Sequence, residues 1–300
     1  MKAAKGYLFI ATAATLWGAS ATIVKHLFNV QFQPLIIVQT RVSIAFVVLL
    51  LAALARNPSS LKFKLRDIPL IALVGVGGIA GSNYFYYYAI RESNVATAIL
   101  VQYSAPIMVA MYAVVVQGEK MTSWKLLSLL CSTVGIFLAV GGLDGLLVAR
   151  GTGILFALIA AVSYSIFNIA GKPLMKRYAI RPSLIFSLGA ATVFWLFVQS
   201  PQVIFNAGYS LSDWAIFALV STMSILLPYS FYFAGLHLLT PTRAIITSTL
   251  EPVVAIATAY VFLGGTMAPL QVAGATMVIG AIVLLELTSS RGNGAAVEGR

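Results

Sequence analysis

The group in this chain best placed to do chemistry is a lone carboxylate. Glu251 stands in "STLEPVVAIATAY", Ser248 to Tyr260, inside a long apolar run and directly before Pro252. Removing a carboxylate from water is costly, so one kept in an apolar run is a candidate functional group. It could take up and release a proton, contact a substrate, work a gate, or bond a neighbouring helix as a structural carboxyl. Thr247 and Thr258 share its helix face at i−4 and i+7. Pro252 cannot donate a backbone hydrogen bond, which frees the carbonyl of Ser248.

A second stretch, "QYSAPIMVAMYAV", repeats the proline but not the acid. Pro106 frees the carbonyl of Gln102, and Ala105 stands where the glutamate would be. Pro228 makes a similar break and frees Ser224. Each proline either shapes its helix or marks a hinge, and such breaks persist in a membrane only where protein or a wet cavity satisfies them.

The other polar groups gather in the same few runs. "SNYFYYYAI" contributes Asn83, Tyr84 and Tyr88; Gln102 and Tyr103 precede Pro106. Trp17 lies in the first run, and Tyr164 and Asn168 in the sixth. An aromatic belt at the membrane interface accounts for Tyr87 and Tyr88 as well as a binding role does. It accounts less well for Trp17 and Tyr103, each about ten residues into its run. Arg41 and Lys25 are expected to snorkel toward the outer interface, a contact with a substrate carboxylate being the alternative for either. Glu286 reads as interfacial.

Nothing here points to catalysis. His26 and His237 lie near opposite helix ends, and Asp67, Asp144 and Asp213 fall in loops. No Asp pair, Ser–His pair or H-E-x-x-H sequence is available, so no catalytic residue, metal or cofactor is expected.

Composition sets the solvent. The 300 residues are 60% hydrophobic and 9% charged, with mean hydropathy +0.95. A soluble domain carries about 25% charged residues. The bilayer is therefore the expected surroundings, and the formal charge of +11 sits in short loops rather than on a nucleic-acid-binding face. Cys131 is the single cysteine, so no disulfide framework exists. Lys2, Lys5 and "ASA" at Ala19–Ala21 imitate a signal peptide. The apolar run continues to Val24 and has a counterpart later in the chain, so it reads as a span.

About 20 helical residues cross a bilayer. Ten candidate spans follow, approximately 6–28, 34–55, 68–90, 93–116, 122–141, 151–171, 183–200, 213–236, 241–263 and 269–288. They form an internal repeat. A shift of 147 lays "GYLFIATAATLWGASATIVKHL" over "GILFALIAAVSYSIFNIAGKPL". A shift of 146 lays Tyr86 over Tyr232, Ala98 over Ala244, Pro106 over Pro252 and Gly118 over Gly264. The expected fold class is all-α membrane protein, with halves at 1–142 and 149–290 and a disordered tail at 291–300.

Five spans is an odd number, so the second half enters the membrane inverted. Inverted repeats are the architecture of alternating-access carriers, with a site at the midplane where the halves meet. A channel would need repeated charged or carbonyl rings instead. With this topology fifteen Lys and Arg share the N-terminal side, against Lys25, Arg91 and Arg150 on the other. By the positive-inside rule both termini are cytoplasmic. Two stripes of small residues, Cys131–Gly135–Ala139 and "GVGGIAG" at Gly75–Gly81, suit close helix packing within the fold, with dimerisation as the alternative.

"LWGASATIVK", "LEPVVAIATAYVFLGG" and "QVAGATMVIGAIVL" together resemble the drug/metabolite transporter superfamily, EamA type, over roughly residues 6–288. Within it the chain is similar to bacterial aromatic amino acid exporters. The resemblance implies a bacterial inner-membrane exporter of amino acids or related metabolites, monomeric or dimeric. Multidrug or other small-metabolite carriage is the alternative. It also implies a cavity lined by the first, third, fourth, sixth, eighth and ninth spans. Specificity would then come from Trp17, Tyr84, Tyr88, Tyr103, Tyr164 and Ser248. The Glu-Pro pair resembles a family-wide feature, which implies that Glu251 serves the shared scaffold or gate.

Overall fold

A computed structural model describes residues 2–29, 33–93, 95–141, 151–263 and 268–294. The Lys25, His26 and Arg150 side chains, Asp144, Gly264 and residues 295–300 lie outside the described residues, so the expectations for them stay as expectations. Every regular element among the described residues is a helix. A helix satisfies its own backbone polar groups, which an apolar sequence cannot do through water.

Among the described residues, eight helices are long and apolar enough to cross a membrane. They are α2 (Leu35–Arg56), α3 (Leu65–Glu92), α4 (Thr97–Val115), α6 (Gly151–Tyr178), α7 (Ile180–Val198), α8 (Leu211–Leu238), α9 (Pro241–Phe262) and α10 (Pro269–Thr288). Two further helices occupy the remaining expected spans: α1 (Lys2–Asn29) and the shorter α5 (Ser123–Ala139). The helix containing α10 continues to Gly294, into the stretch expected to be disordered. Proline opens helices at Pro34, Pro201, Pro241 and Pro269, where its missing N–H would have no partner anyway.

The polarity of the molecule is inverted relative to a soluble protein. Phe197 is 88% exposed and Val115 80%, while Asn168, Thr247 and Ser248 are fully buried. Such an exterior suits lipid, and such an interior suits a polar path.

The halves interleave rather than stack. Helix α1 packs on α8 and α9, α2 on α7, the end of α3 on α6, and α5 on α10. Glycine permits the closest of these approaches. A Cβ on Gly135 would lie 2.8 Å from the Gly274 carbonyl oxygen, and one on Gly274 would lie 2.4 Å from the Ala139 nitrogen. The stripe on α5 therefore serves packing inside the chain, against the last helix. "GVGGIAG" does likewise: a Cβ on Gly75 would meet the Ser187 carbonyl at 2.3 Å, and one on Gly78 the Phe167 backbone at 2.9 Å.

Two kinds of irregularity recur in both halves. Helix α4 breaks at Tyr103–Ser104, between Val95–Gln102 and Ala105–Val115. Helix α9 breaks at Ser248–Thr249, between Pro241–Thr247 and Leu250–Leu263. Under the shift of 146 the two breaks fall within one residue of each other. The π-helical turns are the second kind, at Leu73–Ala80 in α3 and Thr222–Leu226 in α8. The same shift lays the second over residues 76–80. Proline breaks explain the first pair. Short π-helical segments cluster at functional sites, and both of these face the core, since Gly78, Ile79, Ser224 and Ile225 are buried.

Candidate functional site

The two proline breaks touch. Tyr103, at the break of α4, donates its hydroxyl to Glu251 Oε2 at 2.7 Å. Glu251 opens the helix that follows the break of α9. Tyr103 also approaches the carbonyl of Ser248 at 3.4 Å. That carbonyl, freed by Pro252, accepts the Glu251 N–H at 3.0 Å. One break thus supplies the charge and the other the hydroxyl that holds it. Ala105, the repeat counterpart of Glu251, is fully buried and faces Ile245 of α9 in an apolar cluster.

A chain of hydroxyls and amides extends from this contact. Tyr164 donates to Ser248 Oγ at 3.0 Å, and Asn168 Nδ2 returns to the Tyr164 carbonyl at 2.9 Å. Tyr232 donates to Asn168 Oδ1. Tyr232 is fully buried, so its hydroxyl needs such a partner. Trp17 closes the far side. Its indole N–H donates to the Ser224 carbonyl at 2.9 Å, which is the carbonyl Pro228 frees. The Trp17 ring stands edge-on to Tyr229 at 5.1 Å between centroids and tilted on Tyr232 at 5.2 Å. Here the proline break has become a docking point for an aromatic side chain of another helix.

Arg41 departs from expectation. It does not snorkel outward; its guanidinium turns inward and donates to Asn83 Oδ1. It also lies over the Tyr87 ring at 5.9 Å, a cation–π distance. Ser221 of α8 donates to the Arg41 carbonyl at 2.6 Å, fixing that turn of α2. The reason is local: Asn83 is held toward α2 by its own amide, which donates to Ile79 in the π-helical stretch at 2.8 Å. Asn83 thus gives the charge a fixed partner inside the fold.

The structure brings Trp17, Tyr103, Tyr164, Asn168, Ser248 and Glu251 into one linked region. Tyr84 and Tyr88 sit elsewhere. They pack on each other at 4.7 Å, Tyr84 against Trp195 at 5.9 Å and Tyr88 against Phe156 at 5.5 Å. Gln102 ends the helix just before the break, half-buried. Pro106 is buried at the start of the helix after the break. Thr247 and Thr258 bond back to their own helix, at Arg243 and Val254, so neither hydroxyl turns to Glu251 in these contacts. Sequence reasoning missed Tyr229 and Tyr232 as members. The repeat match of Tyr232 to Tyr86 was the signal that could have found the second.

Two clusters lie at the end of the helices away from Arg41. Asp67, 3% exposed, accepts from Arg177 and Tyr178. With Lys64 and Arg66 they line a cavity of about 520 Å³. Glu119 accepts from Lys125 at 2.8 Å, Thr242 at 3.0 Å and Thr240 at 3.3 Å. Both clusters tie the first half of the chain to the second. Among the described residues no group of three His, Cys, Asp or Glu could hold a metal ion.

Known proteins resemble this one in the same pattern. The model of the EamA-like transporter family matches the chain twice, over residues 4–141 and 151–287. The chain is 29% identical over 273 residues to a probable terminal-alkyne amino-acid exporter of Streptantibioticus cattleyicolor, covering 87% of each protein. It is 29% identical over 289 residues to the threonine/homoserine exporter RhtA of Escherichia coli K12, covering 94% of this chain and 90% of that one. A crystal structure of a protein at 18% identity superposes with a TM-score of 0.77 over 94% of this chain and 98% of that one, a likeness of fold.

Proposed function

The chain belongs to the EamA-like transporter family, and from that premise we propose that it is an alternating-access carrier exporting neutral amino acids across a bacterial inner membrane. The observation that carries the reading is the contact of Tyr103 with Glu251. A carboxylate set where two proline-broken helices from opposite halves meet can sense both halves at once. Alternating access needs such a shared element. The relatives named as amino-acid exporters supply the substrate class.

In this reading all ten helices cross the membrane, the halves 1–142 and 149–290 are inverted repeats, and both termini are cytoplasmic. The excess of bases on one side supports that orientation. Trp17, Tyr103, Tyr164 and Asn168 with Ser248 line the path, and Pro106, Pro228 and Pro252 shape the moving breaks. Aromatic walls with few polar groups suit neutral side chains, aromatic ones included. Glu251 runs or stabilises the switch rather than choosing the substrate.

The test is transport in proteoliposomes with a panel of labelled amino acids, with and without a pH gradient. Neutral amino acids should move and compete with one another. If none moves or competes while other small metabolites do, the substrate class is wrong.

A further inference from the structure

The path contains a second charge that the switch does not use. Arg41 is half-buried, and its Nε is buried without a hydrogen-bond partner among the described residues. Its remaining contacts are Asn83, which takes one terminal nitrogen, and the face of Tyr87. Glu251 lies within its electrostatic reach. Tyr86 and Tyr229 each lie in the field of both charges. Yet neither Arg41 nor Glu251 is in any of the three ion pairs among the described residues.

Two opposite charges in a membrane interior should pair, because an unpaired one is expensive. Here each is held off by a neutral partner, Arg41 by Asn83 and Glu251 by Tyr103. Counting about 1.5 Å per residue along α2 and the oppositely directed α9, the two lie about 7–8 Å apart in depth.

We propose that Arg41 is the carboxylate subsite of the carrier. A free α-amino acid bridges the gap, its carboxylate on the Arg41 guanidinium and its ammonium toward Glu251 and the Tyr103 hydroxyl. This rests on the amino-acid reading above and adds to it the orientation of the substrate and the groups it must keep free. The guanidinium fork suits a carboxylate, with the buried Nε–H and a terminal N–H as the two donors. Asn83, fixed by its own bond to Ile79, is the positioning residue that turns the fork inward. The substrate's side chain then projects toward Trp17 and Tyr229, whose rings already meet edge to face. Bound this way, the zwitterion completes the polar chain and adds no net charge to the interior.

The experiment measures competition against a transported amino acid in proteoliposomes of the full-length protein. The competitors are the same amino acid, its carboxamide and its decarboxylated amine. For the wild type, the amide and the amine should compete more than tenfold more weakly. Arg41→Gln should weaken the acid by more than tenfold and bring acid and amide to within about threefold. Arg41→Lys keeps the charge and loses the fork, so it should still favour the acid while binding it several-fold more weakly. It also serves if the glutamine variant does not reach the membrane. If amino acids are transported but Arg41→Gln keeps the wild-type preference for acid over amide, the subsite is wrong while the transport reading stands. An Arg41→Lys variant with unchanged affinity for the acid overturns the fork in the same way. If no amino acid is transported by the wild type, the transport reading itself has failed.

Discussion

Tyr103 and Glu251 are 148 residues apart and lie 2.7 Å from each other, hydroxyl to carboxylate. The repeat places them at nearly equivalent points of opposite halves: Tyr103 at one helix break, Glu251 just past the other. The proline break is duplicated and the acid is not. The half without the acid supplies its partner instead. A contact of this kind couples the two breaks, since neither can rotate without lengthening it.

That coupling is measurable. Glu251→Gln should impair transport, and Tyr103→Phe should slow it by about tenfold, the scale of one lost hydrogen bond to a charged group. Because Glu251→Gln removes the charge that the Tyr103 hydroxyl holds and Tyr103→Phe removes the hydroxyl, the double variant should be little slower than the worse single one. Initial rates in proteoliposomes for the four proteins decide the matter. Additive losses would mean that the two residues act separately.

Trp17 bonds the carbonyl that Pro228 frees, at 2.9 Å. Trp17→Phe keeps the ring against Tyr229 and leaves the Ser224 oxygen, on a fully packed helix, without its donor. Expression should hold, while the order of preference among neutral amino acids shifts. The cost of the orphaned acceptor is about 1–3 kcal/mol. Competition profiles across aromatic and aliphatic substrates provide the comparison. A variant with an unchanged profile and reduced expression would place Trp17 in packing alone.

Gly18 packs α1 directly onto the helix that carries Glu251. A Cβ there would lie 2.5 Å from the Glu251 carbonyl oxygen and 2.8 Å from the Val254 Cβ. No real Cβ sits that close to backbone, so the helix carrying Glu251 must move. Gly18→Ala should therefore cost about 1–3 kcal/mol of stability and lower transport further than the melting shift accounts for. Thermal unfolding in detergent, paired with transport of the surviving folded protein, separates the two effects. Wild-type transport would mean that α9 accommodates the methyl group without consequence.

The sequence shows most of this framework, because membrane helices write their own limits. Apolar runs of span length, proline breaks and a shift of 146 lead directly to the two breaks and to Glu251. What it does not show depends on tertiary partners. Arg41 near a span end reads as a snorkelling base, since nothing nearby in sequence offers a deeper partner. Asn83, 42 residues away, is that partner, and the π-helical turn before it aims the amide. Thr247 and Thr258 share a face with Glu251 on a helical wheel. Their hydroxyls turn to the i−4 carbonyl of their own helix, a choice that periodicity cannot reveal. Tyr229 sits in a run as apolar as its neighbours, and only its ring contact with Trp17 marks it as part of the linked region.

The clusters around Asp67 and Glu119 bear on which side is closed. In the proposed topology both lie at the cytoplasmic end, and both join the halves: Asp67 to Arg177 and Tyr178, Glu119 to Thr240 and Thr242. The outer counterpart of Asp67 under the shift of 146 is Asp213, which is spent locally in a capping box with Ser210. We expect these cross-ties to hold the cytoplasmic side shut. An amide in place of either acid keeps an acceptor but loses the charge that strengthens these bonds, so Asp67→Asn and Glu119→Gln should each move the balance toward the inward-open form by roughly tenfold, or about 1.4 kcal/mol. Hydrogen exchange in the loops at 57–67 and 117–122 should quicken in each variant, and quicken most in the double variant. Loops protected as in the wild type would show that these ties do not hold the cytoplasmic side shut.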